Sequence, residues 1–62
     1  MKKNRVGRYI RKSRNSLGLS QMVFSRALGV TQVSLSKYEL GRNMPPAIIV
    51  FKIQDILKRA GK

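Results

Sequence analysis

Apolar residues recur at helical spacing along the first quarter of the chain. Between about Arg5 and Ser16, the positions Val6, Ile10 and Leu17 fall on one face of a helix or just beyond its end. Residues 1–4 lack this periodicity, so we expect a flexible basic arm there that precedes the first helix.

The segment 20–40 has the pattern of two short helices joined by a tight turn. Ser20 and Thr31 are residue types that cap helix N-termini, because their hydroxyls accept hydrogen bonds from backbone N–H groups. Gly29 is expected to end the first of these helices with a positive φ. The spacing therefore predicts helices that begin just after each cap.

Three further residues favour a helix-turn-helix over an unrelated pair of helices. Ser25 is small enough to let the two helices approach, while Val30 and Leu35 are placed to fix their crossing angle. Leu35 and Tyr38 then point inward. The outward side of the third helix is expected to show four residues: Gln32, Val33, Ser36 and Lys37.

The apolar run from Ala47 to Phe51 is ambiguous alone, because β-branched residues also favour strands. Its continuation favours a helix, since Ile49, Ile53 and Ile56 form one stripe. Pro46 suits the first turn, where its missing N–H is tolerated. The pattern as a whole predicts a single all-α domain.

Composition narrows the function classes. The chain has 62 residues, no Cys, no His and only two acids, Glu39 and Asp55. Disulfides are excluded, a metal site lacks ligands, and general acid–base catalysis lacks its usual groups. We therefore expect no enzyme activity and no cofactor.

The charge of the chain points to a polyanionic partner. The formal net charge is +12, and seven of the fourteen basic residues lie within the first fourteen positions. The simpler alternative is that these charges form a solvated surface that keeps the protein soluble. An excess of positive charge this large is, however, typical of nucleic-acid binders. Anionic membrane is the competing polyanion.

No apolar run approaches the roughly 20 residues that span a bilayer, and no secretory signal is evident, so a cytoplasmic protein is expected.

Several motifs in a fixed order resemble the Cro/C1-type, or xenobiotic-response-element, helix-turn-helix domain of phage repressors and bacterial regulators. The resemblance covers about residues 6–57. It rests on Ile10 and Arg14, LGLSQ at 17–21, LGVTQ at 28–32, SKYELGR at 36–42, and Pro45. It implies a small lambda-repressor-like fold of four helices, or four and a short fifth.

The resemblance also implies contacts with double-stranded DNA. The helix that begins after Thr31 would lie in the major groove. Base contacts would come from Gln32 to adenine, Lys37 to guanine, Val33 to a thymine methyl, and Ser36. Ser34 and Ser36 suit a base or a phosphate. Phosphate contacts would come from Gln21, Thr31, Ser34, Arg42 and Asn43. Outside this motif, simple solvation would be the better interpretation of the polar side chains.

Arg14 and Glu39 occupy positions that the family often fills with an ion pair. The implied role is structural, because a partly buried pair would hold the recognition helix in place. Contact of Arg14 with a phosphate is the alternative. Removal of one partner from a buried pair costs about 3–5 kcal/mol.

Apolar residues at two places depart from the family pattern. Met22 and Val23 stand where polar residues are usual, and Ile48 and Ile49 do so in the fourth helix. We consider Ile48, Ile49 and Phe51 as a homodimer interface. The equal alternative is that these residues fill a core that lacks a fifth helix.

The leading functional hypothesis is a transcription regulator, a repressor in preference to an activator, that acts at the nucleoid as a dimer on a pseudo-palindromic operator. An antitoxin that binds both DNA and a toxin protein, through Met22, Val23 and the start of the fourth helix, is the second hypothesis. A membrane-active cationic helix is the third, and the tight glycine turns disfavour it. For Lys2 and Lys3 two roles stay open, which are insertion into a groove of the DNA and non-specific attraction to it.

Overall fold

The chain forms four helices and no strand within the part that the structure describes. This computed structural model describes the backbone from Lys2 to Lys62 and the side chains from Arg5 onward. The helices are α1 (Lys2–Ser16), α2 (Gln21–Leu28), α3 (Gln32–Glu39) and α4 (Ala47–Arg59). The predicted all-α class is therefore confirmed, and the described residues contain no fifth helix.

The first helix begins earlier than the sequence pattern suggests. α1 starts at Lys2 in place of the predicted Arg5. Lysine is a good helix former, and no proline interrupts the backbone before Arg5. Met1 and the side chains of residues 2–4 lie outside the described part of the chain, so the role predicted for the basic arm stays a prediction.

The core takes at least one side chain from each helix. Its fully buried members are Ile10 of α1, Phe24 and Leu28 of α2, Leu35 of α3 and Ile53 of α4. The half-buried side chains of Val30 and Tyr38 pack against this cluster. Burial of apolar surface in this single cluster is what holds four short helices together.

The N-terminal caps of α2 and α3 and the turn between these helices are as predicted. The Ser20 hydroxyl accepts a hydrogen bond from the Val23 N–H at 3.2 Å, and Thr31 Oγ1 accepts one from the Ser34 N–H at 3.1 Å. Gly29 ends α2 with φ 75°, a left-handed conformation that favours glycine. Ser25 is buried, as expected of a small residue at a close approach of two helices.

The start of α4 differs from the prediction in one respect. Pro46 is the residue before the helix, with φ −59° and ψ 151°, and does not lie within its first turn. Ile49 is only 5% exposed and belongs to the core. This burial agrees with the alternative that Ile49 fills the core, so the hypothesis of a dimer interface rests on Ile48 and Phe51. Ile48 and Phe51 point outward and are 57% and 61% exposed.

None of the four helices in the described part of the chain has both the length and the apolar character needed to cross a bilayer.

Candidate DNA-binding surface

An ion pair joins α1 to the end of α3. Arg14 Nε donates to Glu39 Oε2 at 2.8 Å, and Arg14 Nη2 donates to Glu39 Oε1 at 3.2 Å. The two side chains are 15% and 4% exposed. A two-pronged arginine–carboxylate pair of this kind is directional as well as strong, so it fixes the orientation of α3 relative to α1.

Two further hydrogen bonds extend this pair to α2. Arg14 Nη1 donates to the Leu19 carbonyl at 2.9 Å, in the connection between α1 and α2. Gln21 Nε2 donates to Glu39 Oε1 at 3.1 Å. Because an ionised carboxylate only accepts, Gln21 must turn its NH₂ group toward Glu39. A single buried carboxylate therefore connects three helices.

A glycine lets α1 approach the end of α3. A Cβ atom on Gly7 would lie 2.6 Å from the carbonyl oxygen of Glu39 and 2.7 Å from that of Tyr38. Both neighbours are backbone atoms, which cannot rotate away as a side chain would. Gly7 thus permits the close helix contact in which the pair of Arg14 and Glu39 forms.

The outward side of α3 borders a depression of about 380 Å³. Its lining contains six of the nine residues predicted to contact bases or phosphates, together with one leucine. These residues are Gln21, Gln32, Val33, Ser36, Lys37, Arg42 and Leu40. The depression brings residues of α2, α3 and the following loop together, as one surface that combines amide, hydroxyl, cationic and apolar groups.

The remaining three predicted residues lie outside this depression. Thr31 and Ser34 interact with each other at the start of α3, where Thr31 Oγ1 also donates to Ser34 Oγ at 3.0 Å. Asn43 is exposed in the loop after α3. Thr31 is thus first a helix cap, and any phosphate contact would be additional to that role.

Leu40 is the lining residue that sequence reasoning missed. It is 58% exposed and lies one residue beyond the end of α3, seven positions after Val33. Since seven residues are close to two helical turns, the two apolar side chains lie on the same side of the helix. That spacing is the signal that was available in the sequence.

Gln21 has a structural bond that sequence reasoning did not include. One of its amide protons is directed to Glu39, while the residue also lines the depression. Its second N–H and its carbonyl oxygen are the groups that could contact a ligand. The side chain is therefore oriented before any partner arrives, which reduces the entropy lost on binding.

The cations of this surface are not neutralised by acidic side chains. Both acids of the chain pair elsewhere: Glu39 with Arg14, and Asp55 with Arg59 at 3.1 Å. Lys37 and Arg42 are exposed. The surface thus has a positive potential that attracts phosphate groups.

Comparison with known proteins places the chain in a family. A family model described as helix-turn-helix matches residues 10–60, which is most of the chain. No curated protein and no solved structure gives a significant match. The match covers α2, the Gly29 turn, α3 and the depression described above. The chain therefore belongs to the Cro/C1-type helix-turn-helix family of DNA-binding transcription regulators.

Proposed function

We propose that this protein is a sequence-specific repressor that acts at the nucleoid, as a dimer on a pseudo-palindromic operator. One observation carries the proposal. Gln32 and Lys37 are exposed on α3, and neither side chain has a hydrogen-bond partner among the described residues. Side chains that have no role in holding the fold are available to read base edges.

The chemistry of the outward side of α3 matches the major groove. An amide such as that of Gln32 can bond adenine at two points, and the Lys37 ammonium can donate to guanine. Val33 and Leu40, 65% and 58% exposed, offer an apolar strip that fits thymine methyl groups. Ser36 lies among them and suits a base or a phosphate.

In this proposal the residues that flank α3 bind the DNA backbone. Gln21 would donate its second N–H to a phosphate near the start of α2, and Arg42 and Asn43 would contact the strand after α3. Thr31 and Ser34 lie at the N-terminus of α3, where the helix dipole also favours a phosphate. The Ser34 hydroxyl accepts from Thr31 and so keeps its own proton for a phosphate oxygen.

The dimer would form through the exposed apolar side chains of α4. Ile48 and Phe51 are three positions apart, on the side of α4 that faces away from the core residue Ile49. Dimers of this class place half-sites about 10 base pairs apart, centre to centre. A dimer seated on such an operator would repress by blocking polymerase access.

Selection from a randomised duplex library at about 150 mM salt tests the proposal, because non-specific attraction is partly screened there. We expect an enriched pseudo-palindrome. Tight binding at low salt without any enriched sequence would contradict sequence-specific recognition.

Gln32→Ala is expected to lower the affinity for the enriched site by about 1–3 kcal/mol and to relax preference at one base position. The reason is the loss of a two-point contact with a single base. Arg42→Gln is the control, since loss of a phosphate contact should weaken all duplexes alike. Affinities for the enriched site and for its scrambled version are measured with both variants. Equal losses on both duplexes for Gln32→Ala would refute the assigned role.

Ile48→Ser with Phe51→Ser is expected to weaken dimerisation at least about tenfold, because burial of each large apolar side chain contributes roughly 1.5–3 kcal/mol. Sedimentation velocity with the operator duplex measures the stoichiometry. Met22→Ser with Val23→Ser is the matched control, as it removes two similarly exposed apolar residues from α2. Dimerisation that survives the α4 changes would exclude this interface.

The antitoxin hypothesis has one observation in its favour. Met22 and Val23 are about half exposed on α2. If these two side chains contact a toxin, a neighbouring gene should encode a protein whose toxicity this chain suppresses. The Met22→Ser and Val23→Ser variant should then lose suppression while it keeps operator binding. If no neighbouring product is toxic, the hypothesis is rejected.

A further inference from the structure

A row of cations on α1 has no acidic partner. The chain contains fourteen basic and two acidic residues. Glu39 pairs with Arg14, and Asp55 pairs with Arg59. No acidic side chain therefore remains to neutralise the exposed Arg5, Arg8 and Lys12, which we call the α1 cationic face.

The α1 cationic face points away from α3. Gly7 and Arg14 mark the side of α1 that faces α3, since the first contacts its backbone and the second binds Glu39. At 3.6 residues per turn, Arg5, Arg8 and Lys12 lie roughly 100–180° around the helix from those two positions. A duplex held on the outward side of α3 would therefore not lie in the direction of these three cations.

The spacing of the cations is unfavourable for the isolated helix. Arg8 and Lys12 are four residues apart, and Arg5 and Arg8 are three apart, so like charges are neighbours on the helix surface. The row spans about 10 Å along the helix axis, over which one strand of duplex DNA presents about three phosphate charges. Its charge density thus matches a nucleic-acid backbone.

We propose that the α1 cationic face binds the phosphate backbone of a second DNA duplex while α3 binds the first. One molecule then bridges two duplexes without the need for a dimer. The domain measures 29 × 21 × 20 Å, so the two duplexes would be about one domain thickness apart. The inference rests on the proposed use of α3 as the first DNA-binding surface.

An anionic membrane is a poorer match for the same cations. A helix that binds at a bilayer surface inserts its apolar side among the lipids. The apolar side of α1 is occupied by the protein itself, since Ile10 is fully buried in the core and Val6 and Leu17 pack against it. Membrane insertion would therefore require α1 to leave the fold.

The test compares two variants that lose the same charge. Arg8→Gln with Lys12→Gln alters the α1 cationic face, and Lys58→Gln with Lys62→Gln removes two exposed cations from the end of the chain. Both are made in the Ile48→Ser and Phe51→Ser background, so that a dimer cannot hold two duplexes. The operator duplex is fixed to beads, the protein is bound, and capture of a dye-labelled duplex of unrelated sequence is measured against salt. Circular dichroism verifies that each variant is folded.

We expect the α1 variant to keep its affinity for the bead-bound operator while capture of the second duplex weakens about tenfold or more. The salt slope of capture should fall by about 1.8, for two lost phosphate contacts. The Lys58 and Lys62 variant should retain capture. This combination would support the proposal.

Four other outcomes would overturn it. Equal loss of capture in both variants would mean diffuse attraction. A loss of operator affinity in the α1 variant, with no second duplex captured, would place the cations on the first duplex. Absence of capture by the parent would exclude bridging. Binding of the same variants to phosphatidylserine vesicles is measured as well, and an α1 variant that loses only vesicle binding would indicate a membrane partner. Failure of the proposed function is seen separately, as equal parent affinity for operator and scrambled duplexes.

Discussion

Glu39→Ala is expected to reduce the free energy of unfolding by about 3–5 kcal/mol, because it leaves the mostly buried Arg14 guanidinium without its counter-charge. The Gln21 amide also loses its acceptor. At about 0.05–0.15 kcal/mol per residue, a chain of this size has only about 3–9 kcal/mol in total. Urea and thermal unfolding followed by circular dichroism measure the change, and a largely unfolded variant at room temperature is within the expected range.

Asp55→Ala is the matched control for this change. It breaks the other ion pair, in which the side chains of Arg59 and Asp55 are 81% and 56% exposed. Exposed pairs contribute about 0–1 kcal/mol, so little effect is expected. If the two alanine variants were equally stable, burial of the Arg14 and Glu39 pair would have no energetic consequence.

A double variant separates the energetic cost of leaving a charge unpaired from the cost of lost packing. Arg14→Met with Glu39→Leu removes both charges and keeps apolar volume, and such replacements are often neutral or stabilising. We expect it to recover most of the stability that Glu39→Ala loses. Its affinity for DNA then tests whether Arg14 also contacts a phosphate, since that contact would be lost although the fold is retained.

Gly7→Ala is expected to lower the free energy of unfolding by about 2 kcal/mol or more, although alanine is the better helix former. The added methyl would stand 2.6 Å and 2.7 Å from two backbone oxygens of α3. Overpacking typically costs about 1–3 kcal/mol, and because backbone atoms cannot rotate away we expect the upper end, about 3 kcal/mol or more, against a helix-propensity gain of about 1 kcal/mol.

Asn15→Ala is the control for helix propensity. Asn15 is exposed on the same helix, so alanine there should be neutral or slightly stabilising. Thermal unfolding of both variants provides the comparison. A melting temperature for Gly7→Ala at or above that of the parent would show that α1 and α3 do not need this close approach.

Local signals in the sequence were sufficient for the helices and the turn. Ser20, Thr31 and Gly29 each act on backbone groups a few residues away, so their roles could be predicted without knowledge of the fold. The inward positions Ile10, Leu35 and Ile53 also followed from helical spacing, because each helix has only one side to bury. The DNA contacts predicted for α3 stay predictions.

The amino-acid sequence by itself determined the all-α class, the caps and the apolar stripes, since these depend on spacings of a few residues. The tertiary structure alone decided which distant groups meet. Gly7 contacts a backbone 32 positions later, and Gln21 shares the Glu39 carboxylate with Arg14. The physical reason is that these contacts depend on how the helices pack against one another, and no local spacing specifies that packing.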